Sequence, residues 1–447
     1  MGEPSQKFQG VSINSRTVKQ GELFFCIQGD RFDGHEFLND VVEKKAAGVV
    51  ISDRAKLKES RLQTSDLFAV AVPDTIHALQ ELAGYHRDQF SIHVVGVTGT
   101  NGKSTTKEMI ASVMKMRYST LKTEGNLNNH IGLPLTLLEL KPSHEAAVIE
   151  MGMSAAGEIE RLAEIAKPQI GVITNISQAH MIQLKNLKDI QAAKGELFQS
   201  LDEGSTAIVN ADDPLVYELD ENLRAGVITF GIDNEADVRA TDIRPSENSG
   251  YDFTLNVLGK AVAVHLPFLG RFNIYNALAA AAVGHVLDIS PTLIKTGLGV
   301  KHKLSQRGES IRYGDMEILN DTYNANPQSM REAMQILKEH TTNGRKFLVI
   351  GDMLELGDGE QSAHQQLGNE AAGHGFDFLV TVGELAGVAG TAAVEAGMAK
   401  DQVHCFDHHR PAAEFLKTIA RPGDCLLFKG SRGSHMETVL EGLMQQE

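Results

Sequence analysis

The chain has 447 residues, 42% hydrophobic and 22% charged, with a formal net charge of −16. That length leaves room for about two to four domains, and the acidic balance disfavours nucleic acid as a partner, because binding a phosphate backbone needs a basic face. No apolar run approaches the ~18 residues of a membrane span, so no membrane insertion is expected.

The first residues, MGEPSQKFQG, lack the apolar core of a signal peptide. Cys26, Cys405 and Cys425 are scattered without metal-ligand spacing. They fit a reducing compartment, and a cytoplasmic location is expected.

Residues 1–87 read as a small α/β domain. Leu23–Ile27, Ala47–Ile51 and Phe68–Val72 are apolar and strand-like. Pro73-Asp74 then opens a helix through Leu79 and Leu82. Two polar stretches stand out, Asn14-Ser15-Arg16 and Gly29 to His35. On the residues alone, turn chemistry is the better account of both.

Residues 88–304 form the second domain. Strand-like segments recur at Ile92–Val97, Ala146–Ile149, Ile170–Thr174, Ala207–Val209 and Val227–Phe230. Helical patterns separate the first four, as in a doubly wound parallel sheet. The first strand runs into Thr98-Gly99-Thr100-Asn101-Gly102-Lys103-Ser104-Thr105 and then an apolar helical stripe through Met109, Ile110, Val113 and Met114. A strand, a glycine turn and a helix N-terminus make an anion site, because the first helical N–H groups have no intrahelical partner. Lys103 can reach terminal phosphates and Ser104 can ligate Mg²⁺. The general phosphate-loop pattern wants glycine where this chain has Val97, so a specialised variant fits better. Residues 237–266 alternate in polarity and suggest an antiparallel insertion, followed by an apolar helix from Ala277 to Leu287.

Residues 305–447 form a third domain, with strands at Phe347–Ile350, Phe378–Val382, Val403–Phe406 and Cys425–Phe428 alternating with helices. This reads as a second, Rossmann-like open sheet. The expected class is thus α/β in three domains.

Glu150, at the end of a buried strand beside the phosphate-loop strand, is the obvious carboxylate for Mg²⁺. His180 follows another strand by a short loop; a lone histidine is more often structural. Lys194 lies among alanines, where the ordinary reading is a solvated helix face. Asn210 to Pro214 is equally an Asx turn or a substrate contact.

Together these stretches resemble the Mur ligase family. The resemblance rests on Thr98–Thr105, Glu150-Met151-Gly152, Asn175-Ile176 with Ala179-His180, Ala193–Phe198, Asn210–Pro214 and Gly270–Ala277. Asn320–Pro327, Gly351–Gly357, Lys429–Arg432 and Gly29–His35 narrow it to the branch that adds a dipeptide. The resemblance implies ATP and Mg²⁺, with UDP-N-acetylmuramoyl-tripeptide and D-alanyl-D-alanine as substrates, in a monomer. It implies that Thr98, Gly99, Thr100, Asn101, Gly102, Lys103, Ser104 and Thr105 hold the phosphates. Ser104 and Glu150 would bind one Mg²⁺, and His180 and a carbamylated Lys194 a second. Asn273 and Asn276 would lie near adenine, Arg307 at the γ-phosphate and Asp321 at the ribose. Ser15, Arg16, Asn126 and Asn129 would face the UDP-muramoyl peptide; Asn324, Asn326 and Asp352 would face the peptide and incoming dipeptide. Lys103, Glu150, His180, Lys194 and Arg307 would carry the chemistry. Phe272 departs from the family pattern, where many relatives have histidine. A related amide ligase with another acceptor, or a nucleotide-binding module without turnover, are the alternatives.

Overall fold

The computed structural model describes residues 6–29, 32–59, 67–178, 183–220, 223–247, 249–302 and 304–445. Three sheets organise them. The N-terminal sheet runs in the order Val11–Ser12, Leu23–Phe25, Gly48–Ile51, Phe68–Ala71, all parallel. Both its faces are covered, as parallel sheets require: Phe24, Val49 and Ile51 pack with Leu38 and Val41, while Leu23, Phe25 and Val50 pack on Leu79. Leu79 belongs to the helix Thr75–Arg87, whose N-terminal amides at Ile76 and His77 are capped by Asp74. Pro73 stays outside it.

The polar stretch ending at His35 is turn chemistry where it is described; Asp30 and Arg31 lie outside the described residues. Ser52 and Asp53 donate their amides to His35 Nε2 at 3.0 and 3.3 Å. The ring proton therefore sits on Nδ1, 2.6 Å from Asp33 Oδ1.

The central sheet has nine described strands. Its phosphate-loop strand, His93–Thr98, lies between Ala146–Glu150 and Ile170–Ile173, parallel to both. Chain connections leave to opposite sides of this strand, so its C-terminal end is the switch point where doubly wound sheets take ligands. The segment expected as an antiparallel insertion instead extends this sheet: Val238–Pro245 pairs parallel with Gly226–Gly231, and Tyr251–Val257 and Lys260–Leu266 follow antiparallel. The apolar helix starts earlier than expected, spanning Phe272–Val286. It lies close against Lys103–Met114 because Gly284 faces Val113; a Cβ there would meet Val113 at 2.8 Å.

The third sheet runs Glu309–Tyr313, Met316–Asp321, Cys425–Lys429, Lys346–Gly351, Phe378–Val382, Val403–Phe406. Only its first pair is antiparallel. Helix Pro327–Glu339 opens with a reciprocal cap, in which Asn326 and Ser329 satisfy each other's backbone. Among the described residues no helix is long and apolar enough to cross a membrane.

Candidate active site

The strand ends of the central and third sheets face one cavity of about 1220 Å³. Thr100, Asn101, Gly102, Lys103 and Thr105 line one wall; Arg307, Asp321, Asn324 and Asn326 line the other. Thr98 and Ser104 are buried beneath the loop.

The loop's shape is fixed by its neighbours. Gly102 sits at φ +80°, and a Cβ there would stand 2.5 Å from Asn276 Oδ1; glycine meets both the left-handed backbone and the close approach. Thr106 donates to that same Asn276 oxygen at 3.0 Å, Asn276 donates to Asn273 at 2.8 Å, and Asn273 donates to the Leu269 carbonyl at 2.6 Å. Asn273 lines the cavity; Asn276 braces the turn from behind. On the far side, Asn175 accepts the Asn101 amide and donates to the Asn101 carbonyl, both at 3.0 Å. Asn210 and Asp213 hold that second loop, donating to the Thr174 carbonyl at 2.9 Å and accepting the Ile176 amide at 2.8 Å respectively. The Asx-turn reading of Asp213 is also realised, since it caps Leu215 and Val216.

Lys103 and Lys194 converge on the loop. Lys103 Nζ donates to the carbonyls of Gly99 and Thr100 at 2.8 and 3.0 Å, and Lys194 Nζ donates to Gly99 at 3.0 Å. Burial lowers the Lys103 ammonium from 10.5 to about 8; Glu150 opposes that shift and Arg307 adds to it. Burial, then the Lys103 charge, drives Lys194 well below the ordinary lysine value. Lys194 is therefore not a solvated helix residue. Burial and the neighbouring charge both favour its neutral amine, the form that can attack CO₂.

The Lys103 shift makes a stability prediction. The folded chain loses this proton at a lower pH than the unfolded chain, so the penalty is full below about 8 and fades as pH rises toward 10.5. Thermal unfolding of ligand-free protein should show Lys103→Met most stabilised relative to wild type near pH 7. That advantage should shrink by pH 10; a constant offset would contradict it.

Glu150 is buried. Asn128 donates to its Oε1 at 2.8 Å and its own amide donates to Thr123 Oγ1 at 3.0 Å. Its Oε2 is buried without a hydrogen bond, with Lys107 Nζ at 3.9 Å. A buried carboxylate oxygen with no hydrogen bond, on the strand paired with the phosphate-loop strand, fits Mg²⁺, which takes oxygen ligands and completes its shell with phosphates and water. Among the described residues no group of three His, Cys, Asp or Glu side chains could hold a metal unaided. His180 lies outside the described residues.

The third domain supplies the opposite wall. The Arg307 guanidinium lies 3.7 Å over the Tyr323 ring. Lys429 pairs with Asp321 at 2.5 Å and donates to the Asn324 carbonyl at 3.0 Å. Asn326 and Asn101 pair their amides across the boundary, at 2.8 and 3.4 Å.

Other expected contacts lie elsewhere. Asn129 lines the cavity, whereas Ser15, Arg16, Asn126 and Asp352 do not. Ser15 and Arg16 form a turn held by Lys44, which donates to both carbonyls at 2.7 and 2.5 Å. Asp352 accepts the Ala386 amide at 2.7 Å at the start of a helix. Asn128 and Glu332 line the cavity without having been singled out from sequence, and so does Lys429, whose stretch carried the resemblance but was given no role.

The fold and site define a three-domain P-loop enzyme whose phosphate turn is closed by a second α/β domain. Three domain families match: Mur ligase family, catalytic domain, over residues 7–87, Mur ligase middle domain over 97–284, and Mur ligase, glutamate ligase domain, over 306–432. The chain belongs to the Mur ligase family. It is 37% identical over 437 residues to the UDP-N-acetylmuramoyl-tripeptide–D-alanyl-D-alanine ligase of Bacillus subtilis (strain 168), covering 98% of this chain and 93% of that one. Among solved structures it is similar to MurF from Acinetobacter baumannii, with TM-score 0.89, 33% identity and 99% and 95% of the two chains covered. It is also similar to the MurF ligase of Thermotoga maritima in complex with ADP, with TM-score 0.85, 27% identity and 99% and 98% covered.

Proposed function

We propose that this chain joins D-alanyl-D-alanine to UDP-N-acetylmuramoyl-tripeptide, consuming ATP and releasing ADP and phosphate. The tripeptide carboxylate attacks the γ-phosphorus, giving an acyl phosphate. The dipeptide amine then attacks the carbonyl carbon, loses a proton, and phosphate leaves with the C–O bonding pair. The observation that carries this reading is one cavity joining the phosphate turn, Glu150, whose Oε2 accepts no hydrogen bond, and Arg307 of another domain.

Residues 1–87 would hold the UDP-muramoyl end, 88–304 the ATP, and 305–447 the incoming dipeptide. Lys103 and Arg307 would neutralise charge on the transferring phosphoryl group from opposite sides. Ser104 and Glu150 would hold one Mg²⁺, and His180 and the Lys194 carbamate a second. Bound there, Mg²⁺ supplies charge stabilisation to the phosphate oxygens. Asp321 would meet the ribose. Ser15, Arg16, Asn126 and Asn129 remain assigned to the nucleotide-sugar peptide, and Asn324, Asn326 and Asp352 to the peptide end. A single chain supplies both cavity walls, which supports a monomer. Three unpaired cysteines and substrates carrying UDP and ATP support the cytoplasm.

The direct test is phosphate release with UDP-muramoyl tripeptide and ATP, with and without D-alanyl-D-alanine. Release should require both acceptor and donor; binding of ATP without release would favour the non-catalytic alternative. Because Asn128 orients Glu150, Asn128→Ala should raise the Mg²⁺ concentration for half-maximal rate by about 10–100-fold. A magnesium titration of the rate would detect an unchanged midpoint, which would separate Asn128 from the metal site.

A further inference from the structure

Asn273 and Asn276 each commit one donor and one acceptor inside the protein, to each other, Thr106 and Leu269. The cavity continues past them as an apolar slot. Leu269 and Phe272 line it from the central domain, and Ala333 and Ile336 from helix Pro327–Glu339. That helix begins at the phosphate turn, where Asn326 meets Asn101. Its far end reaches Gly270, on which a Cβ would stand 3.0 Å from Ile336 Cδ1. The slot therefore extends along this helix from the phosphates. Ser329, Glu332, Ala333 and Ile336, at spacings of three and four, form the face turned to it. Glu332 stands six residues beyond Asn326, between one and two helical turns in.

Gln328 donates to Glu332 Oε1 at 3.2 Å. Among the described residues Oε2 accepts no hydrogen bond. A carboxyl group beside the apolar walls of Leu269, Phe272, Ala333 and Ile336 is where a flat heterocycle would find its polar edge read.

We propose that Glu332 is the specificity-determining residue for the nucleotide base, offering an acceptor and a donor side by side to the amino group and ring nitrogen N7 of adenine. The proposal rests on the ATP-dependent ligation stated above. A protonated carboxyl carries one C=O acceptor and one O–H donor. Adenine presents a donor next to an acceptor on its amino edge, whereas a 6-oxo purine presents two acceptors there. The acid form thus matches adenine and leaves its carbonyl oxygen facing another acceptor in hypoxanthine. Burial pushes the Glu332 carboxyl up to about 7; Lys429 and the Gln328 hydrogen bond oppose this, and Asp321 reinforces it. Lys429 and Asp321 face Glu332 from the two neighbouring strands, and Arg307 and Arg432 line the same cavity. The acid form is therefore populated at neutral pH.

The test is steady-state ligation with ATP or inosine triphosphate for wild type, Glu332→Ala and Glu332→Gln. Glu332→Ala should raise KM for ATP and lower the ATP-over-ITP preference, each by about tenfold, with the peptide KM unchanged. Glu332→Gln keeps an acceptor and a donor, so it should retain the preference. It should also lose the decline in preference that wild type shows as pH rises through 7. Wild-type KM and preference in Glu332→Ala would overturn the proposal, as would a loss confined to the peptide KM. No ligation by wild type would instead overturn the reaction.

Discussion

Lys103→Met should lower the rate of ATP-dependent ligation by about 10²–10³, the usual cost of removing one stabiliser of transition-state charge. The substitution keeps the length of the side chain and removes the ammonium. Nothing else in the turn depends on that charge: the loop is shaped by Gly102, by Asn276 behind it and by Asn175 beside it. The lost bonds are those to the Gly99 and Thr100 carbonyls. Because burial already disfavours this ammonium in the ligand-free fold, activity should fall while stability near neutral pH rises. Coupled measurement of phosphate release and melting temperature checks both. Normal ligation by the variant would remove Lys103 from the mechanism.

Lys194→Arg should lose about as much rate, for a different reason. Arginine stays protonated and cannot take up CO₂. In a carbamate the lysine nitrogen bonds to the carbon of CO₂ and releases a proton, so the side chain changes from cation to anion. Arginine would instead fix a second cation beside Lys103 in a buried site, without the lone pair needed to ligate a metal. Wild-type activity should fall when CO₂ is stripped from the buffer and return with bicarbonate. Labelled bicarbonate should give a carbamate carbon resonance absent from Lys194→Arg. An active arginine variant, or a rate indifferent to CO₂, would refute the carbamate.

The phosphate turn and Glu150 were legible because strand, turn and helix are contiguous in sequence, and because alternating buried strands place neighbours predictably. The short edge strands were not. Thr120–Lys122 is three residues long and only half-buried, and Glu309–Tyr313 alternates polar and half-buried positions at a sheet edge. Lys194 misleads in sequence because its alanine neighbours look like a surface helix, while the fold buries that face against the loop. Asn128 sits in a loop without periodicity, and Glu332 on a helix whose polar residues look solvated until a second domain covers one of them. Ser15, Arg16 and Asp352 show the converse: polar clusters that the fold uses, at least in part, to hold turns and a helix end.

The amide pair between Asn101 and Asn326 joins a loop shaped to surround phosphate to the first turn of a helix in another domain. Whatever holds one partner in place narrows the freedom of the other. If the contact strengthens when nucleotide binds, then by linkage a peptide substrate that seats the third domain must raise nucleotide affinity by the same factor. Two substrates that never touch at this point would then sense each other through one side-chain pair, and their binding constants could not be set independently.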